Sequence, residues 1–381
     1  MANQPLVNYN MCTFMHLSLF GSILQSIFLL GHWFLYITLV RFFAVTSPIR
    51  LLTLRVVLGL LSVSLIPAFS LASRYSNFWV KCLYTGVASW IGIIYLLILA
   101  SVLCWVLYGL AKLFHLPLNQ KILIEILIGM ALTASFYGFI NSGAVRVTRI
   151  NLQLHTLPGE WKGKTAVWVS DTHLGPVRNN GFAQRIAATV QGLHPHIVFL
   201  GGDLFDGEPV DLDEIIEPFS KISAPYGTYF ITGNHEEFGD KTPYLQAVRR
   251  AGMRVLDNEM VVIDGLQIIG VDYSDTRRED PFREVLKRIN TNRDQPSILL
   301  KHAPLNLQVA KEHGISIQLS GHTHRGQVFL FRFITSRVYR GYDYGLKRYK
   351  DLLVYTSSGA GTWGPPMRID TKPEIVLITF I

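Results

Sequence analysis

Five short clusters carry most of the chemistry this 381-residue chain can offer: Asp171-Thr172-His173, Gly202-Asp203, Gly233-Asn234-His235-Glu236, Lys301-His302 and Gly321-His322-Thr323-His324. Together they present four imidazoles (His173, His302, His322, His324), two carboxylates (Asp171, Asp203) and one amide oxygen (Asn234). Imidazole and oxygen donors without a thiolate suit manganese, iron or zinc rather than calcium or a structural zinc knuckle. Seven side chains exceed what one tetrahedral ion needs, and they fit two ions if one carboxylate is shared. Asp203 is the candidate for the shared ligand. Two divalent ions roughly 3.5–4 Å apart clamp the attacking and leaving oxygens of a displacement at phosphorus and acidify water. The plain alternative is seven polar residues that merely end strands. Five clusters in order weigh against it.

Each cluster directly follows an apolar run, so the elements that must position it are strands. Residues 165–170 read as a buried strand ending at Asp171, 197–200 as one ending in Gly201-Gly202-Asp203, and 227–232 as one running into Gly233. Residues 297–301 and 315–320 repeat the pattern before His302 and His322. Helices are expected over 180–193, 211–222, 244–251 and 281–289, with further strands over 145–154, around 255, 261 and 268–271, and over 352–356 and 374–381. Alternating strands and helices over a single stretch of this length argue for one α/β domain. Ligands of such folds sit beyond the carboxyl ends of the strands.

In this order the clusters resemble the signature of calcineurin-like metallophosphoesterases, over roughly residues 148–381. The resemblance implies a two-sheet α/β sandwich flanked by helices, with the metals at the loop edge. It implies that Asp171, His173, Asp203 and His324 hold one ion, and that Asp203, Asn234, His302 and His322 hold the other. His235 would not be a ligand; it would face the leaving group or phosphate as proton donor or electrostatic stabiliser. Residues 321–327 and 358–368 look like the membrane-attached branch, which includes transmembrane proteins with a metallophosphoesterase domain. Arg325 stands where that branch commonly has a small residue, and His196 where an aspartate usually precedes the strand. Arg325 and Arg368 are candidate substrate contacts. Asp206, Asp272 and Asp275 fit turn roles or hydrogen bonds to bound histidines. His155, His194, His196 and His313 match no cluster.

The first third is of another kind. Residues 1–144 hold seven basic residues and one acid, Glu125, leaving a net charge of only +2 for 145–381. The overall +8 therefore describes no nucleic-acid-binding face, and no nucleic-acid motif accompanies it. Apolar stretches at 17–40, 51–72, 87–110 and 122–140 approach or exceed the ~20 residues a bilayer-crossing helix needs. The expected organisation is a four-helix transmembrane anchor at 1–144 and a metallophosphoesterase domain at 145–381, in a multi-pass protein of the cell membrane. Positive charge is balanced across the flanks of the spans and leaves the side of the C-terminal domain open. Pro67 is expected to kink its helix, His32 and Gln25 to bond helix to helix, and Glu125 to sit at the interface near Lys121. All three cysteines (Cys12, Cys82, Cys104) lie in this third without metal or redox spacing.

These readings make an enzyme that hydrolyses a phosphomonoester, phosphodiester or pyrophosphate with two divalent ions, on a substrate that is lipid- or glycan-linked. One specific alternative is a UDP-diacylglucosamine pyrophosphatase of lipid A synthesis; another is a metal-binding membrane scaffold without catalysis. A transporter with a regulatory soluble domain is disfavoured by the scarcity of intramembrane charge. The segment 329–350 mixes aromatics with six basic residues. It reads either as a surface for anionic lipid or an amphiphilic phosphate, or as a strand pair with one solvated basic face.

Overall fold

The computed structural model describes residues 11–381, with side chains from residue 21 onward, so residues 1–10 of the expected anchor lie outside the described residues. The chain divides into two compact units. The first contains the N-terminal helices through Ile140 together with Gly364–Met367, and the second contains Asn141–Trp363 and Arg368–Ile381.

The helices of the first unit are α1 (Met11–Phe42), α2 (Pro48–Val63), α3 (Leu65–Ala72), α4 (Phe78–Leu113) and α5 (Gln120–Gly143). They supply four segments long and apolar enough to cross a membrane, Gly21–Phe42, Pro48–Ala72, Phe78–Leu113 and Gln120–Gly143. The second is interrupted between α2 and α3 at Ser64. Pro67 lacks the N–H that would bond four residues back, so the ladder opens on that side of the proline. Polar groups inside the unit pair with one another. The His32 ring donates from Nδ1 to Phe28 O at 2.7 Å and accepts Trp90 Nε1–H at Nε2 at 2.8 Å. Gln25 Nε2 donates to Ser62 O at 2.6 Å. Glu125 lies 3.8 Å from Lys121 and half exposed, as an interfacial pair would.

The second unit contains β1 (Arg146–Leu152), β2 (Thr165–Val169), α6 (Asn180–Gly192), β3 (Ile197–Leu200), α7 (Leu212–Ser220), β4 (Thr228–Phe230), α8 (Thr242–Arg250) and β5 (Arg254–Val255). It continues through β6 (Glu259–Ile263), β7 (Leu266–Gly270), α9 (Tyr273–Thr276), α10 (Glu279–Ile289), β8 (Ser297–Leu300), α11 (Leu307–Glu312) and β9 (Ile317–Ser320). Helix α12 (Phe331–Val338) and strands β10 (Gly345–Tyr349), β11 (Leu352–Thr356) and β12 (Glu374–Phe380) complete it. The strands form two six-stranded mixed sheets, ordered β1-β12-β2-β3-β4-β5 and β10-β11-β9-β8-β7-β6. Within the first, β2 to β5 run parallel; within the second, β7, β8, β9 and β11 do.

Burial on both faces explains why the central strands read as unbroken apolar runs. In β3, Ile197 and Phe199 point into the layer between the sheets, where they join Trp168, Ile268, Ile298 and Leu319. Val198 and Leu200 point the other way, under Phe182, Ile186, Phe219 and Val248 of α6, α7 and α8. The outer face of the second sheet is covered by Phe282 and Leu286 of α10 and Val309 and Ala310 of α11. The late strands do not simply add to edges. β12 lies between β1 and β2, parallel to one and antiparallel to the other.

Candidate metal centre

Strands β2, β3 and β4 of one sheet and β8 and β9 of the other each end just before one of the five clusters. The two sheets therefore deliver their loops to a common edge. The main chain there is strained: Asp171, His173, Asp203, His322, His324 and Arg325 all have φ between 46° and 68°. The left-handed region costs a side-chain-bearing residue about 1–2 kcal/mol, and such strain gathers where function demands it. Hydrogen bonds between loops hold it in place: Asp171 N–H to Gly202 O at 3.0 Å, His173 N–H to Asp203 O at 3.0 Å and Gly321 N–H to His302 O at 2.8 Å. Close approach also dictates glycine at 202. Its φ is +85°, and an added Cβ would fall 2.6 Å from Gly233 N and 2.8 Å from His302 Nδ1.

The donor atoms fall into overlapping triads whose members lie within 4.8 Å of one another: Asp171, His173 and His324; Asp203, His302 and His322; and His173, Asp203 and His235. In the first, His173 Nε2 faces His324 Nε2 at 3.0 Å, with Asp171 Oδ1 3.7 Å from the latter. In the second, His302 Nε2 stands 3.1 Å from Asp203 Oδ2. Asp203 also approaches His173, at 3.8 Å, so its carboxylate lies between the two sets. Other bonds orient the rings. His173 Nδ1–H donates to Asp206 Oδ1 at 3.0 Å, and His302 Nδ1–H donates to Gly201 O at 2.8 Å, turning each Nε2 lone pair inward.

Electrostatics favours the same use. Burial, reinforced by the neighbouring His235, pushes His173 down to about 3, and burial beside His302 does the same to His322. Burial, with His173 and Arg368 nearby, carries His324 well below the ordinary imidazole range. These rings are neutral at physiological pH, the form in which imidazole binds a cation. Burial opposes the charge on Asp203, but His302, His235 and His173 outweigh it and hold the carboxyl well below its usual range. The unsatisfied atoms complete the test. Asp171 Oδ2, Asn234 Oδ1 and His302 Nε2 are buried without a hydrogen-bond partner. Asp171 Oδ2 and Asn234 Oδ1 are acceptors that lack donors. Burial opposes charge on His302, but Asp203 and Asp171 outweigh it and raise its pKa to about 9. The site therefore calls for positive charge in both sets, and the residues present fit divalent cations.

A calcineurin-like phosphoesterase family model matches residues 165–326. An uncharacterized metallophosphoesterase of Aquifex aeolicus (strain VF5) is 32% identical over 258 residues, 66% of this chain and 97% of that protein. The chain belongs to the calcineurin-like phosphoesterase family. An uncharacterized metallophosphoesterase of Helicobacter pylori (strain J99 / ATCC 700824) is 31% identical over 283 residues, covering 72% of this chain and 75% of that one. A transmembrane protein with metallophosphoesterase domain of Danio rerio is 31% identical over 258 residues, 64% of this chain and 59% of that protein. Among solved structures, a 5'-nucleotidase precursor from Thermus thermophilus overlaps at TM-score 0.31 and 16% identity, over 57% of this chain and 54% of that one, a level from which no function follows.

As a calcineurin-like phosphoesterase the protein is a metal-dependent phosphoester hydrolase, and the remaining candidates fall into place around its metal centre. His235 is 5% exposed; its N–H donates to Asp203 Oδ1 at 2.9 Å and its Nδ1–H to Asp206 O at 2.7 Å. Its ring packs against Phe238 at 4.7 Å and near Trp363 at 6.2 Å, two aromatics more than half exposed. Arg325 is half-buried over the Tyr344 ring at 4.3 Å. Arg368 is fully buried, and its guanidinium donates to the main-chain carbonyls of Ser358 and Gly361 at 2.7 and 2.6 Å. Its place is beneath the centre, where it braces the 358–361 loop and contacts the His324 ring at 3.2 Å. His196 lies at the far end of β2 and β3, accepting Thr165 N–H at 3.1 Å. Asp272 caps α9 and pairs with Lys241.

Sequence reasoning gave Glu236 no role. It is fully buried and takes three main-chain N–H groups: Asp203 at 3.0 Å and Gly233 at 2.8 Å on one oxygen, Phe205 at 3.1 Å on the other. It ties the loop after β3 to the loop after β4. The available signal was an acid in the last position of Gly-Asn-His-Glu with no metal left to serve.

Proposed function

We propose that residues 145–381 form a domain that hydrolyses a phosphoester or pyrophosphate with a pair of divalent ions, and that residues 1–144 anchor it in the cell membrane. In this reading Asp171, His173, Asp203 and His324 hold one ion and Asp203, Asn234, His302 and His322 the other, with manganese, iron or zinc as the candidates. The observation that carries it is the Asp203 carboxylate, standing between two sets of buried imidazoles. When bound, two such ions neutralise charge developing on a phosphoryl group and acidify water.

The chain's own residues supply the rest. Burial disfavours charge on His235, but the Asp203 and Asp206 carboxylates outweigh it and raise its pKa. With Nδ1–H committed to Asp206 O, the proton available to a departing oxygen is on Nε2. Asp206 fixes the His173 ring as well, so one short loop orients a ligand and the acid. Exposed Phe238 and Trp363 beside His235 would receive an apolar leaving group, which favours a lipid-linked phosphate over a small polar one.

The test is hydrolysis of bis(p-nitrophenyl) phosphate by the full chain in detergent, supplied in turn with manganese, zinc and iron. Turnover that needs the metal and collapses in Asn234→Ala is expected. A folded, metal-loaded chain with no turnover would instead mark a metal-binding scaffold.

A further inference from the structure

The segment 329–350 is not the strand pair that its composition allowed. Its first half is α12, a helix with no buried residue, and only its second half is a strand, β10, paired antiparallel with β11. Ile334 and Val338, four residues apart on one side of the helix, are 55% and 61% exposed, and Phe333 beside them is 54% exposed. A stripe at core spacing that faces solvent marks a surface awaiting a partner. The charge around it indicates which partner. Arg337, Arg340, Lys347, Arg348 and Lys350 are all exposed, while the segment's one acid, Asp343, is buried. Arg332 alone of the segment's six basic residues pairs with a carboxylate among the described residues, at 2.6 Å from Asp370.

We propose that α12 and the loop after it form an interfacial contact that inserts Ile334, Val338 and Phe333 into a bilayer and meets anionic headgroups with the flanking basic residues. An apolar face ringed by arginine and lysine is the pattern of a helix lying in the membrane interface. The described residues include four membrane-length helices, so bilayer lipid is at hand at high local concentration.

The contact is built onto the metal centre itself. Helix α12 starts five residues after the loop that carries His322 and His324 ends at Gly326, and Gly326 lies against the main chain of Phe331 and Arg332. Tyr339, which caps the helix, packs on the His322 ring at 6.2 Å, and Thr323 Oγ1 donates to Asp343 O at 2.7 Å. A bilayer gripping α12 therefore holds the centre near headgroup level. The substrate class that follows, the phosphate of a membrane-resident amphiphile, rests on the hydrolase reading above; the contact does not.

Spin labels test it in the full chain reconstituted in lipid nanodiscs. Ile334→Cys, Val338→Cys and, as a reference on β6, Val262→Cys are each made with Cys12, Cys82 and Cys104 changed to serine. Val262 is 53% exposed and lies on the edge strand of the second sheet. In discs containing phosphatidylglycerol, labels at 334 and 338 should show at least about a threefold higher ratio of oxygen to nickel-chelate accessibility than the label at 262, as expected of positions below the headgroups. Arg337→Glu with Arg340→Glu should reduce that ratio, as should zwitterionic lipid alone. Labels at 334 and 338 as water-exposed as the one at 262 would overturn the contact. So would spin–spin broadening between two copies, which would make a second chain the occupant. Turnover of the soluble diester, read on the same samples, separates the two readings: buried labels without turnover would sink the hydrolase alone, and exposed labels with turnover would sink the contact alone.

Discussion

Gly202→Ala should damage both stability and catalysis, and the structure says by how much. Gly202 sits at φ +85°, where a residue with a side chain pays about 1–2 kcal/mol. The added methyl would also lie 2.6 Å from Gly233 N and 2.8 Å from His302 Nδ1, neither at the end of a flexible side chain. Relieving such an overlap costs about 1–3 kcal/mol, for a total of about 2–5 kcal/mol. A matched control exists in Gly252, at φ +80° with nothing within 4 Å, where alanine should cost only the conformational part. Chemical unfolding of the chelated full chain in detergent, compared between the two variants, isolates the steric contribution. The displaced atoms belong to the Asn234 loop and the His302 ring, so a shift of ~1 Å there should lower diester turnover by about 100-fold, whereas Gly252→Ala should leave it unchanged. If the two variants lost equal stability and both kept turnover, the close-packed cradle described here would be wrong.

Three other outcomes follow from the same geometry. Asp203→Ala should release both ions together under rising chelator, whereas His324→Ala should release one before the other; metal content after graded dialysis reads the difference, and stepwise loss in Asp203→Ala would refute a shared ligand. His235→Ala should lower turnover of an alkyl phosphate ester by roughly 10²–10⁴-fold, the usual scale for general acid catalysis, with little effect on a p-nitrophenyl ester whose leaving group needs no proton; equal losses on both would remove His235 as the acid. Burial and the nearby Asp203 push Glu236 from 4.5 up to about 7. In the chelated protein the folded state then keeps a proton that the unfolded state releases, so this stabilisation is full below 4.5 and is lost, by about 3 kcal/mol, as pH rises to 7. Glutamine cannot titrate, and its carbonyl oxygen can keep the Asp203 and Gly233 N–H bonds while its amide nitrogen loses the Phe205 one. Glu236→Gln should therefore flatten that part of the pH–stability curve in chelator, and a curve parallel to the wild type's would contradict the assignment.

What could be read from the sequence was local. Apolar runs that stop at a glycine or an acid mark strand ends, because a strand buried on both faces has no other way to write itself, and 197–200 is the plainest case. The clusters after those runs could be placed at the loop edge for the same reason. Pairing order could not be read: nothing within 374–380 says that this strand enters between β1 and β2, because the choice is made by partners more than 200 residues away. The 331–338 helix was hidden by its own composition, since Phe, Ile, Thr and Val favour strands and its stripe has no core to match. Arg368 read as a contact for substrate only through the family resemblance of residues 358–368. Only coordinates show its donors spent on backbone carbonyls.

The position of β12 also sets a schedule for the growing chain. Residues 146–152 have no lasting strand partner until residues 374–380 have been made, because β12 is their neighbour in the sheet. At bacterial or eukaryotic synthesis rates, about 5–20 residues per second, β2 waits roughly 10–40 s for the strand that flanks it. Throughout that interval the apolar β2 edge stands open beside a ribosome. A chain interrupted shortly before residue 374 would keep every candidate metal ligand and still lack the strand that closes its sheet. Such fragments should be cleared by proteases or aggregate, rather than persist as partly active enzyme.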